Sequence, residues 1–346
     1  MIAREDDMKK KIFAAVIYCI CLAATAIAQE TLFDKGLRQY DAKQYSDAAS
    51  TFQLVINEQP TSYAAYYNLG LCRYSLEEYD KAIDAFNRSL AIKPDYPDAL
   101  IQLGNSLDYQ DKFNEAIAAY QRALQYDPNS SRAYFELGVS HYRKKVYPEA
   151  IKAFKEAIRL APNDPDTHYR IALCYNAQSQ SADAQSEFEK AVGLGIKNGF
   201  AQYELGKIYN DQKRADKAIE VLNSAVQLKP DMSDAWLELG NSYYNFGRPA
   251  DAIAPYKRAG ELSPKDVDAA LYLADAYLNT KRNDEALAEY NRTLLLDPKN
   301  SSAIYGKGLV YYNQSKKILA LEQYDKLKPL NTELAAKLMD WINKLP

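Results

Sequence analysis

The sequence predicts an all-α protein, an α-solenoid of about nine helical hairpins with 34 residues each. Three observations indicate this fold class. A column of small residues recurs every 34 residues, a column of alanines follows 12 residues later, and a large apolar or aromatic side chain lies four residues after each alanine. The small residues are Gly36, Gly70, Gly104, Gly138, Ala172, Gly206, Gly240, Ala274 and Gly308, and the alanines are Ala48, Ala82, Ala116, Ala150, Ala184, Ala218, Ala252, Ala286 and Ala320.

One unit, residues 131–164, shows why each repeat should fold as a hairpin. Its apolar and small positions form two runs at helical spacing, separated by a polar turn at 143–146. Two helices approach closely only where side chains are small, so we expect Ala150 on the second helix to face Gly138 on the first. A lone hairpin cannot bury both faces, and stacking of successive hairpins can.

The repeat also carries a family pattern. Leucine or isoleucine precedes most of the small residues, and prolines such as Pro128 and Pro162 close the units. With the 34-residue period, the chain resembles the tetratricopeptide repeat family over residues 29–331. The resemblance implies a right-handed superhelix in which the first helix of each hairpin lines a concave groove that binds peptides or partner helices.

The N-terminal residues predict export. A basic start at 8–11, an apolar run at 12–22 and small residues at 26–28 are typical of a signal peptide, residues 1–28, cleaved before Gln29. We therefore expect a location in a bacterial periplasm or outside the cell, with no stable membrane insertion after cleavage. The alternative is an uncleaved anchor, although the apolar segment is shorter than the ~20 residues of a spanning helix.

Two further segments depart from the repeat. Residues 193–199 contain three glycines and lack the closing proline, which predicts a hinge between repeats five and six. Residues 332–346 predict a C-terminal capping helix that begins at the N-cap Thr332 and covers the last repeat. A helix that binds a partner is the alternative for this segment.

Composition and motifs predict a protein without catalysis, metal or cofactor. The net charge is −3 and no Lys/Arg run follows the signal peptide, so no nucleic-acid surface is expected. Glycine-rich phosphate loops, nucleophile elbows and metal-spaced Cys/His clusters do not occur in the sequence. His141 and His168 occupy core positions of the repeat, and Cys72 and Cys174 are expected to be buried thiols.

The candidate binding residues come from positions that should face the groove. These positions are rich in tyrosine, which offers contact area and a hydroxyl at low entropic cost, and in asparagine, which can hold a main chain. Part of this row should instead pack between neighbouring repeats. The residues are Tyr67, Leu71, Tyr74, Ile101, Asn105, Phe135, Tyr142, Tyr169, Tyr203, Leu237, Asn241 and Tyr244.

These residues predict an exported, non-enzymatic adaptor or scaffold whose partners are proteins or peptides. A carboxylate-terminated peptide is disfavoured, because Glu136 and Asp166 would repel it. Two alternatives remain: a homo-oligomeric structural scaffold, and an accessory protein that binds carbohydrate or cell wall through exposed tyrosines. The oligomeric state and the partner do not follow from the sequence.

The signal peptide generates the first testable prediction. N-terminal sequencing of the exported protein should find Gln29 as the first residue. A mature protein that retains residues 12–22 would show that the segment is an anchor.

Overall fold

The computed structural model describes residues 31–345, so the predicted signal peptide lies outside the described residues. Nineteen α-helices and no β-strand occur within this range. The chain divides into two compact units, Met1–Pro162 and Asn163–Pro346. Consecutive helices pair as hairpins within each unit. The predicted all-α fold class is confirmed.

The first unit contains four hairpins. Its helices are α1 (Leu32–Asp41), α2 (Tyr45–Glu58), α3 (Tyr63–Ser75), α4 (Tyr79–Ile92), α5 (Pro97–Tyr109), α6 (Phe113–Tyr126), α7 (Ser131–Arg143) and α8 (Tyr147–Leu160).

The second unit contains five hairpins and a final single helix. Its helices are α9 (Pro165–Ala177), α10 (Ser181–Gly193), α11 (Gly199–Asp211), α12 (Ala215–Leu228), α13 (Ser233–Asn245), α14 (Pro249–Leu262), α15 (Val267–Asn279), α16 (Asn283–Leu296), α17 (Ser301–Asn313), α18 (Lys317–Leu327) and α19 (Thr332–Ile342).

The close contact inside five of the nine described hairpins joins a glycine of the first helix to a ring of the second. All nine column alanines are fully buried, but the expected pairing of Gly138 with Ala150 needs correction. A Cβ atom at Gly138 would lie 2.6 Å from ring atoms of Phe154, one turn beyond Ala150. Gly70 has the same relation to Phe86, with a distance of 2.5 Å. The first helix therefore lacks a Cβ there because the partner ring occupies that volume.

The turn inside each hairpin has one recurring backbone conformation. A single residue, repeated every 34 positions, has a φ between 56° and 73°. At Lys145, for example, the backbone N–H donates to the carbonyl oxygen of Tyr142 at 2.8 Å. Glycine is the residue best suited to this left-handed conformation, yet only the turn at Gly247 has one among the described hairpins.

The segment predicted to be a hinge, residues 193–199, has three glycines in three different environments. Gly195 has a φ of 82°, and a Cβ at Gly199 would lie 2.9 Å from the carbonyl oxygen of Ala225, whereas a Cβ at Gly193 would meet nothing within 4 Å. Ile196 is buried between them, and its carbonyl oxygen accepts a hydrogen bond from Gln202 at 3.0 Å. Opening of this segment stays a prediction, and it would have to expose Ile196.

The C-terminal helix α19 packs against α17 and α18. Its Leu338 is fully buried, and a Cβ at Gly308 would lie 2.5 Å from that side chain. In the last hairpin Leu338 therefore fills the space that the ring of Phe154 fills beside Gly138. The capping residue is Asn331 rather than Thr332, because the Asn331 side chain accepts the N–H of Leu334 at 3.0 Å.

Both cysteines of the described chain are free and buried, as predicted. Burial raises the pKa of the Cys72 and Cys174 thiols to about 12. Both therefore stay protonated and behave as small apolar side chains at neutral pH. Within residues 31–345, no helix combines the length and apolar character needed to cross a bilayer.

The contact between glycine and ring generates a stability prediction. Gly138→Ala should lower the free energy of unfolding by ~1–3 kcal/mol, because the new Cβ overlaps the Phe154 ring. Gly193→Ala is the control, since its Cβ enters open space in a helix and should be neutral or stabilise by up to ~1 kcal/mol. Urea denaturation measures both, and equal losses would contradict the assigned contact.

Candidate functional site

All twelve candidate residues lie on the first helices of hairpins, as predicted. Seven belong to the first unit, on α3, α5 and α7, and five belong to the second, on α9, α11 and α13. Eleven of the twelve are half-buried. Ile101 is the exception and needs correction: it is only 2% exposed and lies in the core cluster against which Tyr67 packs.

Three aromatic candidates, Tyr67, Phe135 and Tyr169, rest on the phenylalanine ring of their own second helix. The ring of Phe135 lies 5.6 Å from that of Phe154, and the ring of Tyr169 lies 6.0 Å from that of Phe188. One side of each candidate is therefore committed to packing, while the other remains partly exposed. Because this packing fixes the rings before any partner arrives, less conformational entropy is lost on binding.

Tyr74 belongs to a different arrangement, an aromatic cluster at one end of its hairpin. Its ring lies 5.7 Å from Tyr79 and 5.6 Å from Tyr109, and the latter two stack at 4.9 Å. Burial, followed by the neighbouring hydroxyl of Tyr109, raises the pKa of Tyr74. Tyr109, which is 58% exposed, is the member of this cluster most available to a partner, and the sequence analysis did not single it out.

The candidate asparagines serve the core as well as the surface. The hydroxyl of Tyr120 donates to Asn105 Oδ1 at 2.7 Å, and that of Tyr256 donates to Asn241 Oδ1 at 2.9 Å. A third hydroxyl, Tyr290, donates to Asp275 Oδ1 at 2.5 Å. For Tyr256 and Tyr290 these are the acceptors of hydroxyls that would otherwise be buried without a partner, at a cost of ~1–3 kcal/mol, whereas Tyr120 also reaches Asp108.

The pairing of a buried tyrosine with a polar acceptor can be read from the sequence. Where the second helix carries phenylalanine, at Phe86, Phe154 and Phe188, the residue after the small column is apolar: Leu71, Val139 and Leu173. Where the second helix carries the buried Tyr120, Tyr256 or Tyr290, that residue is Asn105, Asn241 or Asp275. The last hairpin departs from the rule, with Leu309 and Tyr324. Tyr324 is only half-buried there, and Leu338 occupies the space beside Gly308.

In the first unit, Asp108 is a further acceptor for a buried tyrosine hydroxyl, and it is more buried than the asparagines. It is 5% exposed, and its Oδ2 accepts hydrogen bonds from the hydroxyls of Tyr120 and Ser140. Burial raises the pKa of this carboxyl, against the effect of those two hydrogen bonds. The guanidinium of Arg143 binds the backbone oxygen of Asp108 at 2.6 Å rather than its carboxylate. Asp108 is therefore a structural residue between α5, α6 and α7.

The second unit contains an open pocket of about 270 Å³ among α13, α14 and α15. Its lining combines three tyrosines, two amides and one carboxylate: Asn241, Tyr244, Asn245, Tyr256, Tyr272 and Asp275. The prediction included Asn241 and Tyr244, but missed the contributions of Asn245 and Tyr272. Tyr272 occupies the repeat position of Glu204 and Glu238, and this departure was the available sign.

Hydrogen bonds and burial define the chemistry of this pocket. Asn279 donates to the Tyr244 hydroxyl oxygen at 2.6 Å, so that the phenolic proton is free to be donated elsewhere. Burial raises the pKa of Tyr244, and the negative charge of Asp275 raises it further. Burial also raises the pKa of Asp275 to about 6, although the Tyr290 hydrogen bond opposes the change. At neutral pH the pocket therefore presents neutral hydroxyls and one carboxylate.

The two histidines lie on helices of different units. His168 is buried with its Nδ1 2.6 Å from Glu187 Oε2, and Lys190 lies 2.7 Å from the other oxygen of that carboxylate. Burial works against ionisation of Glu187, but the hydrogen bonds from Lys190 and His168 outweigh it and lower the pKa. His141 is half-buried, and burial lowers its pKa. Among residues 31–345, no group of three or more His, Cys, Asp or Glu side chains could hold a metal ion.

The structure thus defines a helical-repeat protein whose first helices carry half-buried tyrosines and amides. The tetratricopeptide repeat model matches residues 33–97, 101–165, 237–301 and 271–333. Related repeat models match residues 206–247 and 153–186. The chain belongs to the tetratricopeptide repeat family, whose fold is typically a non-enzymatic scaffold for protein–protein interaction.

Several solved structures share the repeat. MamA is 24% identical and matches 49% of this chain and 92% of its own, with a TM-score of 0.44. Pseudomonas aeruginosa pilF is 20% identical over 62% of this chain and 98% of its own, with a TM-score of 0.47. The C-terminal part of a TPR repeat-containing protein from Cytophaga hutchinsonii is 21% identical over 79% of this chain and 98% of its own, with a TM-score of 0.46. No curated protein matches the chain.

The link between core hydroxyl and surface amide generates the next prediction. Asn241→Leu should cost ~1–3 kcal/mol, because it leaves the Tyr256 hydroxyl buried without an acceptor. Tyr256→Phe should cost about 1 kcal/mol, since it removes the donor but leaves a half-exposed amide. The double variant reproduces the natural pair of Leu71 and Phe86 and should be nearly as stable as the wild type. Urea unfolding of all four proteins gives the coupling free energy, and strictly additive losses would contradict the assignment.

Proposed function

We propose that this chain is an exported, non-enzymatic scaffold that holds a protein or peptide partner on the exposed sides of its first helices. Membership of the tetratricopeptide repeat family supports the scaffold role. The observation that carries the proposal is the open pocket of the second unit, where Tyr244, Tyr272 and Asn245 present groups to solvent. The basic, apolar and small residues of the N-terminus support export to the periplasm or the cell exterior.

The first-helix side chains have the properties of a binding surface for polypeptides. Each tyrosine combines a large apolar area with a hydroxyl that can donate or accept, and has few rotatable bonds to immobilise. Asn241 has its carbonyl oxygen occupied by Tyr256, and within the described residues no acceptor takes its Nδ2. That amide group is therefore available to a main-chain carbonyl of a partner.

The test is selection of peptides from a random library on the full-length protein, followed by affinity measurement of the selected peptides. Tyr244→Ala should weaken their binding by about tenfold or more, because central aromatic contacts dominate interface energies. Leu295→Ala is the matched control, as Leu295 is 82% exposed on the second helix α16. Its effect should stay below about twofold.

Two results would overturn the proposal. One is loss of binding on Leu295→Ala while Tyr244→Ala binds normally, which would place the contact on the second helices. The other is failure of the library to yield any peptide whose binding depends on a first-helix residue. Circular dichroism of each variant separates loss of contact from loss of fold.

A further inference from the structure

We propose that the pocket among α13, α14 and α15 receives the cationic side chain of a lysine or arginine from the bound polypeptide. The inference rests on the proposed function, because it specifies which residue of a partner this site selects. It goes beyond that function in assigning a charge preference, which the repeat pattern alone does not contain.

The pocket contains a carboxylate without a counter-ion. Asp275 lines the pocket, and its carboxylate accepts one hydrogen bond within the described chain, from the Tyr290 hydroxyl. None of the described residues that line the pocket is Lys, Arg or His. A buried carboxylate is normally paired with a cation. An entering ammonium or guanidinium group would supply the missing charge.

The pocket also has an aromatic wall. Tyr244, Tyr256 and Tyr272 all contribute to the lining, and the rings of Tyr256 and Tyr272 lie 5.8 Å apart at 49° to each other. The face of an aromatic ring attracts a cation electrostatically, and enclosure by several rings is how proteins recognise ammonium groups. Tyrosine rings also accommodate the methylene groups of a lysine or arginine side chain by apolar contact.

The charge around the pocket is negative. After burial itself, the groups that raise the pKa of Tyr272 are Asp268, Glu238, Asp275 and Asp266, and all of them are acidic. Glu238 and Asp275 also raise the pKa of Tyr256. This part of the first-helix surface therefore has a negative potential, which attracts basic segments and repels carboxylates.

The size of the pocket is compatible with this occupant. Its volume of about 270 Å³ far exceeds the ~10–15 Å³ that a cavity of this kind needs to hold one water molecule. A lysine side chain has five heavy atoms beyond Cα and an arginine side chain has seven. Either can therefore enter with its charged end beside Asp275.

The experiment uses the full chain and a pair of short peptides, acetyl-Ala-Ala-Lys-Ala-Ala-amide and its norleucine analogue. Saturation-transfer NMR at pH 7.5, with irradiation of the aromatic protons, reports which peptide protons contact the tyrosines. The lysine ε-methylene protons should receive the strongest transfer, and the norleucine peptide should bind more weakly. Asp275→Asn should raise the dissociation constant of the lysine peptide about tenfold or more.

Two further variants make the result specific. Asp325→Asn removes the same charge from an exposed site on α18 and should change the constant by less than about twofold. Tyr272→Leu should weaken the lysine peptide about threefold while leaving Asp275 in place. If Asp275→Asn were to lose its fold, Tyr272→Leu would still decide the question.

The Asn variant is expected to fold. The pKa of Asp275 is raised to about 6, so stability associated with its protonated form is present at low pH and is lost as pH rises through about 6. The groups that interact with it are hydroxyls: Tyr290 on α16, Tyr244 on α13, Tyr256 on α14 and Tyr272 on α15. At pH 7.5 Asp275→Asn should therefore melt no lower than the wild type.

Three outcomes would overturn the inference. Equal binding of the lysine and norleucine peptides would show an apolar subsite, and insensitivity to Asp275→Asn would remove the charge contact. Binding of spermidine with the same dependence on Asp275, without binding of the lysine peptide, would assign the pocket to a small free cation. If library-selected peptides still depend on Tyr244 in any of these cases, the proposed function stands and only the charge preference fails.

Discussion

In five of the nine described hairpins the central contact is made by a ring of the second helix, which occupies the space where a glycine of the first helix has no Cβ. At Gly104, for instance, a Cβ would lie 2.5 Å from Tyr120 Cε1. This contact sets the distance between the two helices, and it decides which side chains of the first helix remain at the surface. Phe135 and Tyr169 are half-buried because they rest on the same rings that contact the small column. The candidate binding surface is therefore an extension of the core.

The sequence was sufficient to predict the helical hairpins, their length and the buried alanines, because residues 34 positions apart pack in the same way in each repeat. It was less informative about the surface. The exposure of Ile101 depends on Tyr67, a full repeat away, whose ring covers the cluster that contains Ile101. The Gly138 contact was assigned to Ala150 because both residues are small, whereas the close approach is made by the large Phe154. Periodicity identifies equivalent positions, but it does not give side-chain volumes on neighbouring repeats.

At the candidate site, too, the sequence predicted some residues and missed others. Asn241 and Tyr244 were predicted from their register on the first helix, and the structure places both beside the pocket. The roles of Asn105 and Asn241 as acceptors for buried tyrosines could have been found by comparing Phe and Tyr on the second helices with the residue after the small column. The pocket itself could not, since it needs Tyr272 and Asp275 from the next hairpin at a specific separation. Export is a proposal, because the residues that predict it lie outside the described range.

The hydrogen bonds of the Tyr120 and Tyr256 hydroxyls determine which repeats can be exchanged singly between proteins. Each hydroxyl finds its asparagine within its own hairpin, 15 residues away, so such a hairpin carries both members of the pair when it is transplanted. Tyr290 differs, because its ring also packs against Gly306 of the following hairpin. A Cβ atom on Gly306 would lie 2.2 Å from Tyr290 Cζ. The hairpins of Tyr290 and Gly306 must consequently be moved together. A chimera that joins Tyr290 to an unrelated repeat would place a side chain in the space of its ring.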